Sequence, residues 1–468
     1  MRINTQTGFR AICKSLEPGR TFYLSITIDM RLAPAIARTF ASLYTSLRET
    51  RLGLTIFALT GIYLVAFAYV RKIAALDPGS YFFDPAKAYQ LQYTTVREEQ
   101  AENYINTAST APPFRRNTDG ADLQMCVGVP SIARGNTRYL RSCIGSLLEG
   151  LSQNERDGMH LAVFIPHTDP TLHPALHEPW LANSADDLLL YNLTKSELDH
   201  VKALEEGKKY LIFKEKGLFD YIYLLKACYA TGAPNIVMLE DDVLAMDGWY
   251  HRTLRGLEQA AAVARRKSST KDFLYLRLFY TEKFFGWNSE DWYIHTFWSL
   301  LTIGLCGLSL VLIRIGFPST QRSLTNPVVM AVCTIPVPLA IILFFAAGKL
   351  TALPFSTGVN VMNNYGCCSQ AMVYPRPKAL ELMNWYQKNK VGFVDQLTEE
   401  YADEQGQLRL AMNPVVFQHV GSKSSKSDDF GQGSPNTRTL AQMVWNIAFE
   451  WYRADDLREE HRLAENAM

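Results

Sequence analysis

The acidic triplet Glu240-Asp241-Asp242 is the stretch of this sequence whose residue types most directly suggest chemistry. It follows the mainly apolar run Asn235–Leu239, which has the length and composition of a short buried strand. Carboxylates placed there would lie at the C-terminal edge of a sheet, where open α/β folds bind ligands. Two adjacent carboxylates can hold Mn²⁺ or Mg²⁺ and leave coordination positions for a diphosphate. The triplet therefore predicts a divalent metal site.

The alternative interpretation is that the triplet is an ordinary group of surface acids, like other acidic pairs in the sequence. The sequence also contains Asp186-Asp187, Asp428-Asp429 and Asp455-Asp456. Paired acids commonly cap helices or lie on solvated faces. Among these pairs the triplet is set apart by its apolar lead-in, which is the reason to prefer a metal role for it.

The elements that would position the triplet alternate between strands and helices. Apolar runs predict strands at residues 123–130, 161–165 and 187–191, and helical periodicity marks residues 136–151 and 219–230. This alternation predicts an α/β domain with a largely parallel sheet that is covered on both faces.

Three long apolar runs indicate a membrane protein. Residues 52–70 contain no charge and are flanked by Arg51 and Arg71, which predicts a signal anchor behind a cytosolic leader, residues 1–51. Residues 297–313 and 328–347 predict a transmembrane hairpin whose connector, residues 314–327, has basic residues and no acid and is therefore expected in the cytosol. The alternative is that the two hairpin runs are buried core helices.

The hairpin would divide the α/β domain into residues 123–296 and 348–439, both in the lumen. Residues 71–122 are expected to form a lumenal stem, and residues 440–468 an amphipathic terminal helix. Five cysteines fall in the proposed lumen, without zinc-ligand spacing or an evident pairing: Cys126, Cys143, Cys228, Cys367 and Cys368.

The composition excludes several classes of protein. With 48% hydrophobic and 20% charged residues, the chain is neither disordered nor a small disulfide scaffold. Its 47 Lys+Arg balance 46 Asp+Glu, for a net charge of +1. Because no basic footprint is present, we expect no nucleic acid partner.

Four segments resemble motifs of glycosyltransferases. Residues 237–243 (VMLEDDV) look like the DxD-type motif of GT-A enzymes, which holds the metal of a nucleotide sugar. Residues 127–134 (VGVPSIAR) resemble the nucleotide-binding first strand and helix of that fold, and residues 365–371 (YGCCSQA) its donor-and-acceptor glycine loop. Residues 393–396 (FVDQ) resemble the segment that carries its catalytic acid.

A fifth segment, residues 418–421 (QHVG) followed by Ser424 and Ser425, is similar to one shared with N-glycan branching GlcNAc transferases. Together with the anchor and the inserted hairpin, these motifs resemble the Golgi GPI N-acetylgalactosaminyltransferase family, over roughly residues 50–440. That resemblance implies a GT-A domain in the Golgi lumen, UDP-GalNAc as the donor, and a GPI glycan or GPI-anchored protein as the acceptor.

The resemblance also implies roles for individual residues. Mn²⁺ or Mg²⁺ would be held by Glu240, Asp241, Asp242 and His419, and the nucleotide diphosphate would be contacted by Arg134, Gly366, Lys423, Ser424 and Ser425. The alternatives are that His419 is a structural histidine and that the segment around Ser424 is a solvated loop.

An inverting reaction, which the family implies, requires a general base for the acceptor hydroxyl. Asp395 is the candidate. Glu399 and Glu400, one helical turn further on, are expected to be surface acids, and the alternative is that one of them exchanges roles with Asp395. Asp395 could instead be a helix N-cap. Two other functions remain open at this point: an N-glycan branching GlcNAc transferase, and a membrane protein that binds GPI-anchored cargo without catalysis.

Overall fold

A computed structural model describes residues 51–117, 122–134, 138–207, 212–267, 272–362, 368–421 and 444–466. The chain divides into two compact units, residues 1–66 and 67–468. The second unit contains the sheet, the candidate site and the hairpin.

Within the described residues, three helical stretches are long and apolar enough to cross a membrane. They are Phe57–Leu76, Glu282–Gly316 and Asn326–Ala346. None of the residues of the helix Trp292–Gly316 is buried in the protein, so the alternative that the second run is a buried core helix is wrong. The third stretch consists of two helices that meet at Ile335, the residue before Pro336, where φ is −119° and ψ is −76°.

The strands form a mixed sheet in the order β3-β2-β1-β4-β8-β6-β9-β7 and a separate pair, β10-β5. The strands are β1 (Met125–Pro130), β2 (Met159–Phe164), β3 (Asp187–Leu189), β4 (Asn235–Leu239), β5 (Val243–Ala245), β6 (Tyr275–Arg277), β7 (Gly358–Val361), β8 (Ala371–Pro375), β9 (Arg409–Asn413) and β10 (Phe417–His419). From β3 to β4 all neighbours are parallel, whereas β8 is antiparallel to both β4 and β6. The predicted α/β class is confirmed. The sheet was expected to be largely parallel, and its antiparallel pairs all involve β7 or β8, which follow the hairpin in sequence.

The described helices lie between and beyond these strands. They are α1 (Arg51–Ile73), α2 (Pro85–Ala88), α3 (Tyr93–Ala108), α4 (Tyr139–Leu148), α5 (Gln153–Asp157), α6 (Pro179–Ser184), α7 (Lys195–Glu206), α8 (Gly217–Ala230), α9 (Trp249–Lys267), α10 (Trp292–Gly316), α11 (Asn326–Thr334), α12 (Pro336–Ala346), α13 (Lys349–Ala352), α14 (Arg376–Asn389), α15 (Val394–Glu404) and α16 (Ala454–Glu465).

The core lies on both faces of the sheet because buried side chains alternate along the strands. On β4, Val237 and Leu239 belong to the cluster that includes α4 and α9, whereas Ile236 and Met238 belong to the cluster that includes α8 and α14. Every side chain on these four positions is at most 2% exposed.

The hairpin of α10, α11 and α12 is inserted within the sheet domain. Strand β8 follows the hairpin in sequence and pairs with β4 and β6, which precede it. A two-span hairpin returns the chain to the side of a membrane that it left, so this pairing is compatible with both spans crossing.

The segment expected to be a stem is partly a core element. Helix α3 packs on α4, and its Arg97 is fully buried, donating to the carbonyl oxygens of Ala245 (2.9 Å) and Ser146 (2.7 Å). Arg97 also pairs with Glu149. The polar surface of the helix concealed this packing, since a buried arginine looks like a solvated one in sequence.

The terminal helix is shorter than predicted. It covers Ala454–Glu465, and Ala448–Trp451 forms a 3₁₀ turn instead. The reason is that side chains of the domain bind the backbone before the helix: Gln418 Oε1 accepts from the Asn446 N–H at 2.9 Å, and Glu282 Oε2 accepts from the Ile447 N–H at 2.7 Å. Phe449 is fully buried there.

Candidate active site

The acidic triplet lies at one edge of the sheet, together with residues from two other strand ends. Strands β1, β2 and β4 are parallel neighbours, so the chain leaves all three at the same edge. Ser131 follows β1, His167 and His173 follow β2, and Glu240 to Asp242 follow β4. We call Glu240, Asp241, Asp242 and His419 the acidic corner.

Asp241 is the carboxylate most firmly held by the neighbouring strand end. Its Oδ2 accepts from Ser131 Oγ at 2.6 Å, and its Oδ1 lies 2.6 Å from Arg134 Nη1. Burial raises the pKa of Asp241 above its usual range, the adjacent Asp242 adds to this, and the Arg134 guanidinium opposes both. Arg134 therefore compensates part of the charge that two adjacent buried carboxylates concentrate at this edge.

His173 extends this network and was missed in the sequence. Its Nδ1 accepts from the Ala175 N–H at 3.3 Å, so the proton is on Nε2, which lies 3.1 Å from Ser131 Oγ. Burial, followed by His167 and Arg134, lowers the pKa of His173 to about 4. A neutral imidazole thus donates to Ser131, which in turn donates to Asp241.

The same residues line a small cleft beside Asp241. Ser131, Arg134, Tyr139 and His173 are among its walls, and the Arg134 guanidinium lies over the Tyr139 ring, 5.5 Å from the ring centroid. The cleft combines a cation, hydrogen-bond donors and an aromatic face next to the carboxylates. Such a combination suits a phosphate-bearing ligand.

Asp242 faces His419 because the chain turns back after the triplet. Strand β5 pairs antiparallel with β10, and in this register Val243 is opposite His419. His419 Nε2 lies 3.5 Å from Asp242 Oδ2, and His419 Nδ1 is 2.8 Å from the Val444 carbonyl oxygen. The Nδ1–H therefore donates to Val444, which orients Nε2 toward Asp242.

The charges of this pair stabilise each other despite their burial. Burial opposes the charged form of Asp242, but His419 and then Arg134 outweigh it and hold the pKa of that carboxyl below its usual range. Burial likewise opposes the His419 imidazolium, and Asp242 outweighs it and raises the pKa of the ring above its usual range.

Two observations test whether this corner fits a divalent cation. Asp242 Oδ1 is buried and has no hydrogen-bond partner among the described residues, which is costly for a carboxylate unless another group binds it. A Cβ atom on Gly421 would come within 2.5 Å of Asp242 Oδ2 and 2.6 Å of His419 Nε2. The glycine therefore keeps open the space next to both ligand atoms, and oxygen donors with one imidazole suit Mn²⁺ or Mg²⁺.

Glu240 is held by the two residues that immediately precede β8. Its N–H donates to the Gln370 carbonyl oxygen at 2.8 Å, and its Oε1 accepts from Ser369 Oγ at 3.0 Å. Both partners belong to the motif at residues 365–371. The structure thus brings part of that motif to the acidic corner.

Asp395 lies in the first turn of α15, where Phe393 is the N-cap. Asp395 is therefore not the N-cap, and that alternative is wrong. Its side chain is partly buried, and Oδ1 accepts from the Gln396 N–H at 2.9 Å. One further turn along, Glu399 forms ion pairs with Arg277 Nη2 at 2.8 Å and Arg409 Nε at 2.9 Å.

These ion pairs distinguish the two acids. Glu399 also accepts from Tyr275 Oη at 2.7 Å, so its carboxylate is occupied by two cations and a phenol. The expectation that Glu399 is a surface acid is therefore wrong, because these partners lie in the interior of the domain. Arg277, which is 1% exposed, in turn donates to the carbonyl oxygen of Cys368, next to Ser369. Glu399 thus joins α15 to the motif beside Glu240, a structural arrangement that leaves Asp395 as the better candidate base.

Four predicted site residues lie outside the described residues. They are Gly366, Lys423, Ser424 and Ser425. Their predicted contacts with a nucleotide stay predictions.

A comparison with protein families bears on the whole arrangement. The model of a family described as GPI-N-acetylgalactosamine transferase PGAP4 matches residues 125–418, more than half of the 468-residue chain. The chain belongs to this family. The matched span runs from β1 to Gln418 in β10 and includes the acidic triplet, the hairpin and Asp395. A search of curated proteins found no match.

Membership of this family implies a glycosyltransferase with GPI N-acetylgalactosamine transferase activity. It also implies a GPI glycan as the acceptor. The three apolar helical stretches agree with a membrane protein.

Proposed function

We propose that the protein is a metal-dependent GT-A glycosyltransferase that transfers N-acetylgalactosamine from UDP-GalNAc to the mannose core of a GPI glycan, with inversion. The observation that carries the proposal is the acidic corner itself. Two adjacent buried carboxylates lie at the carboxyl ends of parallel strands, and one of them faces an oriented imidazole. Carboxylates this close repel each other unless a cation balances them, and groups perturbed in this way cluster at functional sites.

Asp241, Asp242 and His419 are the proposed metal-binding residues, with Glu240 in support. A Mn²⁺ or Mg²⁺ ion bound here would neutralise the negative charge that develops on the departing diphosphate. Arg134 and Ser131 fix the Asp241 carboxylate, and the Val444 carbonyl oxygen fixes the His419 ring. The ligand set is therefore held in place before any substrate binds.

The cleft beside Asp241 is the proposed entry for the nucleotide diphosphate. Arg134 and Tyr139 line it, and a guanidinium can donate to phosphate oxygens while it remains paired with a carboxylate. Lys423, Ser424, Ser425 and Gly366 are proposed to complete the diphosphate contacts.

Asp395 is proposed as the general base that accepts the proton of the acceptor hydroxyl. Its replacement by asparagine should lower the rate of transfer by about 100-fold or more, because general base catalysis contributes roughly 10²–10⁴-fold. Metal-dependent UDP binding should be unchanged, since the residue contacts the acceptor rather than the nucleotide. Transfer and UDP binding are measured side by side.

The matched control for this variant is Glu400→Gln, which alters an exposed acid on the same helix. Transfer by this control should stay within about twofold of the wild-type rate, as expected of a surface substitution. If Asp395→Asn kept a rate within tenfold of the control, the base would have to be assigned elsewhere.

The Golgi membrane is the proposed location, with the sheet domain in the lumen. The Cys126–Cys228 disulfide between β1 and α8 supports an oxidising compartment for this domain. A GPI glycan is tethered to lipid, so an active site attached to the same bilayer by the anchor and hairpin meets its acceptor at a high effective concentration.

The test uses the full-length protein in detergent with Mn²⁺, a GPI-type acceptor and a panel of UDP sugars. UDP release and the acceptor mass are followed together. The proposal expects transfer of one N-acetylhexosamine from UDP-GalNAc, and loss of transfer when Mn²⁺ is chelated. Transfer from UDP-GlcNAc instead would replace the proposed donor, whereas neither transfer nor metal-dependent UDP binding would indicate a cargo-binding protein.

A further inference from the structure

A second group of carboxylate and imidazole side chains shares no residue with the acidic corner. Glu155 of α5, His251 of α9 and His461 of α16 present ligand atoms that all lie within 4.8 Å of one another. Their exposed fractions are 1%, 6% and 4%. We call these three residues the terminal-helix cluster.

The ring of His461 is oriented as metal-binding histidines usually are. Its Nδ1 is 2.7 Å from Asp247 Oδ1, and its Nε2 is 2.8 Å from Glu155 Oε2. Asp247 is itself held by Arg458, whose Nε donates to Oδ2 at 2.9 Å. When a carboxylate accepts from Nδ1–H, the Nε2 atom is left with the lone pair that can bind a metal. Zinc-bound histidines commonly have such a carboxylate on their other nitrogen.

Several polar atoms in this cluster have no partner. Both ring nitrogens of His251 lack a hydrogen-bond partner among the described residues, and so does Oε1 of Glu155. Glu460 Oε1 lies 3.6 Å from His251 Nε2, which is beyond hydrogen-bonding distance. Each of the three residues offers one ligand atom to the cluster. Buried polar atoms are normally satisfied, so a buried imidazole without a partner beside Glu155 and His461 indicates a missing cation.

The backbone around His251 is also fitted closely to the cluster. Gly248 has a φ of +73°, and a Cβ there would lie 2.4 Å from Cε1 of the His251 ring and 3.3 Å from the Cβ of His461. A side chain at this position would displace one of the two imidazoles. The glycine thus permits their close approach, with ring centroids 5.2 Å apart.

We propose that Glu155, His251 and His461 bind a Zn²⁺ ion that joins the C-terminal helix to the sheet domain. Two imidazoles and one carboxylate form a donor set that zinc prefers, with a water molecule or Glu460 in the fourth position. The acidic corner differs in offering mainly oxygen atoms. Because the terminal-helix cluster is buried within the fold, its role is to stabilise the position of α16 rather than to take part in transfer.

The site would extend the fold beyond the span that the family model matches. Glu155 and His251 lie within residues 125–418, but His461 lies outside them. A metal bound to all three residues would join parts of the chain that are 306 residues apart, as measured from Glu155 to His461. Closing so long a loop with a bound ion stabilises the folded state when the unfolded chain binds the ion weakly.

The experiment counts zinc in the full-length protein in detergent. The Asp241→Asn/Asp242→Asn background removes the acidic corner as a competing site. After a chelator wash, equilibrium dialysis against micromolar Zn²⁺ should leave about one zinc per chain by elemental mass spectrometry. Co²⁺ in place of zinc should give the visible absorption of a tetrahedral site.

The decisive variant is His251→Gln in the same background, with His200→Gln as the matched control. His200 is exposed and lies next to a single carboxylate, Glu215, at 3.0 Å. The control should keep the zinc and a zinc-dependent rise of several degrees in the unfolding midpoint, whereas His251→Gln should lose both.

Two results would overturn the proposal. One is equal zinc content in the folded His251→Gln and His200→Gln proteins. The other is an absence of bound zinc and of the cobalt absorption in the folded background protein, which decides the matter even if His251→Gln does not fold. Either result would leave His461 as an imidazolium that bridges Asp247 and Glu155 without a metal.

Discussion

The acidic corner and the terminal-helix cluster are both buried groups of carboxylates and imidazole, but they are assembled in opposite ways. The corner takes three of its residues from one contiguous triplet, whereas the cluster takes single residues from α5, α9 and α16. In the corner two carboxylates are adjacent and one oxygen of Asp242 is unpartnered among the described residues. In the cluster, the His461 imidazole lies between Glu155 and Asp247, a carboxylate outside the cluster.

We infer from this difference that the balance of charges decides whether such side chains contribute to transfer or to the stability of the fold. In the corner the repulsion between the adjacent carboxylates raises the pKa of Asp241, and the pairing of Asp242 with His419 offsets part of its cost. In the cluster, a cation lies next to carboxylates, whether it is the His461 imidazolium or a bound metal ion. This pairing of opposite charges contributes to stability. Substitutions in the corner should therefore affect transfer more than unfolding, and substitutions in the cluster should affect unfolding more than transfer.

The largest expected effect is on transfer, from Asp242→Asn. The carboxamide keeps the shape of the side chain and removes the charge that faces His419, so the rate of transfer should fall by at least about 100-fold. Two effects on the midpoint of thermal unfolding without metal oppose each other: the substitution relieves the repulsion with Asp241 and removes the carboxylate that stabilises charged His419. The midpoint should therefore change less than it does in His461→Gln. Transfer and thermal unfolding are measured on the same preparation.

The control for this variant is Asp455→Asn, in an adjacent acidic pair that lies exposed in the first turn of α16. It should leave transfer unchanged. A transfer rate for Asp242→Asn close to that of the control would remove the functional half of the comparison.

The next largest effect is on stability, from His461→Gln. The variant leaves Glu155 and Asp247 as buried carboxylates without their shared partner, which should lower the free energy of unfolding by about 3–5 kcal/mol. The folded fraction should transfer sugar at a rate close to the wild-type rate. Denaturant unfolding measures the first quantity, and transfer normalised to folded protein measures the second.

His200→Gln again serves as the control, because its histidine is exposed. An unfolding free energy for His461→Gln equal to that of this control would show that the terminal-helix cluster contributes no stability.

The smallest expected effect is a pH dependence of stability from His173. Its pKa in the folded protein, lowered by burial, then by His167 and Arg134, to about 4, is below the value of about 6.5 in an unfolded chain. The unfolded state therefore binds a proton first as the pH falls. The stability that neutral His173 contributes is complete above pH 6.5 and is lost between about pH 6.5 and 4.

His173→Asn removes this titration while its carboxamide oxygen can still accept from the Ala175 N–H. The wild type should lose more unfolding free energy than the variant between pH 7 and pH 4.5, as measured by denaturant unfolding at each pH. Parallel pH profiles for the two proteins would show that His173 titrates normally and does not hold Ser131 as a neutral donor.

The sequence was informative where function depends on contiguous residues. The apolar run before Glu240 predicted β4, and the uninterrupted apolar runs predicted the membrane helices, because burial in a sheet and immersion in a bilayer both leave a local pattern. The match to the family confirms the resemblance that these motifs suggested.

Residues brought together by long-range packing could not be predicted in the same way. Arg97 looked like part of a polar stem, His173 carried no motif, and the terminal-helix cluster joins residues far apart in the chain. A single buried arginine or histidine has no periodicity that distinguishes it from an exposed one. For His173, the available clue was its place shortly after a strand parallel to the one that precedes the triplet.

The most direct test of the central claim is the affinity of the wild-type protein for UDP, measured by calorimetry with Mn²⁺ present and with Mn²⁺ chelated. We expect binding to be at least about tenfold tighter with Mn²⁺, since a cation at the acidic corner would contact both the carboxylates and the diphosphate. Asp242→Asn should abolish this difference. Equal UDP affinity with and without the cation would contradict the assignment of the acidic corner as a metal-dependent nucleotide-sugar site.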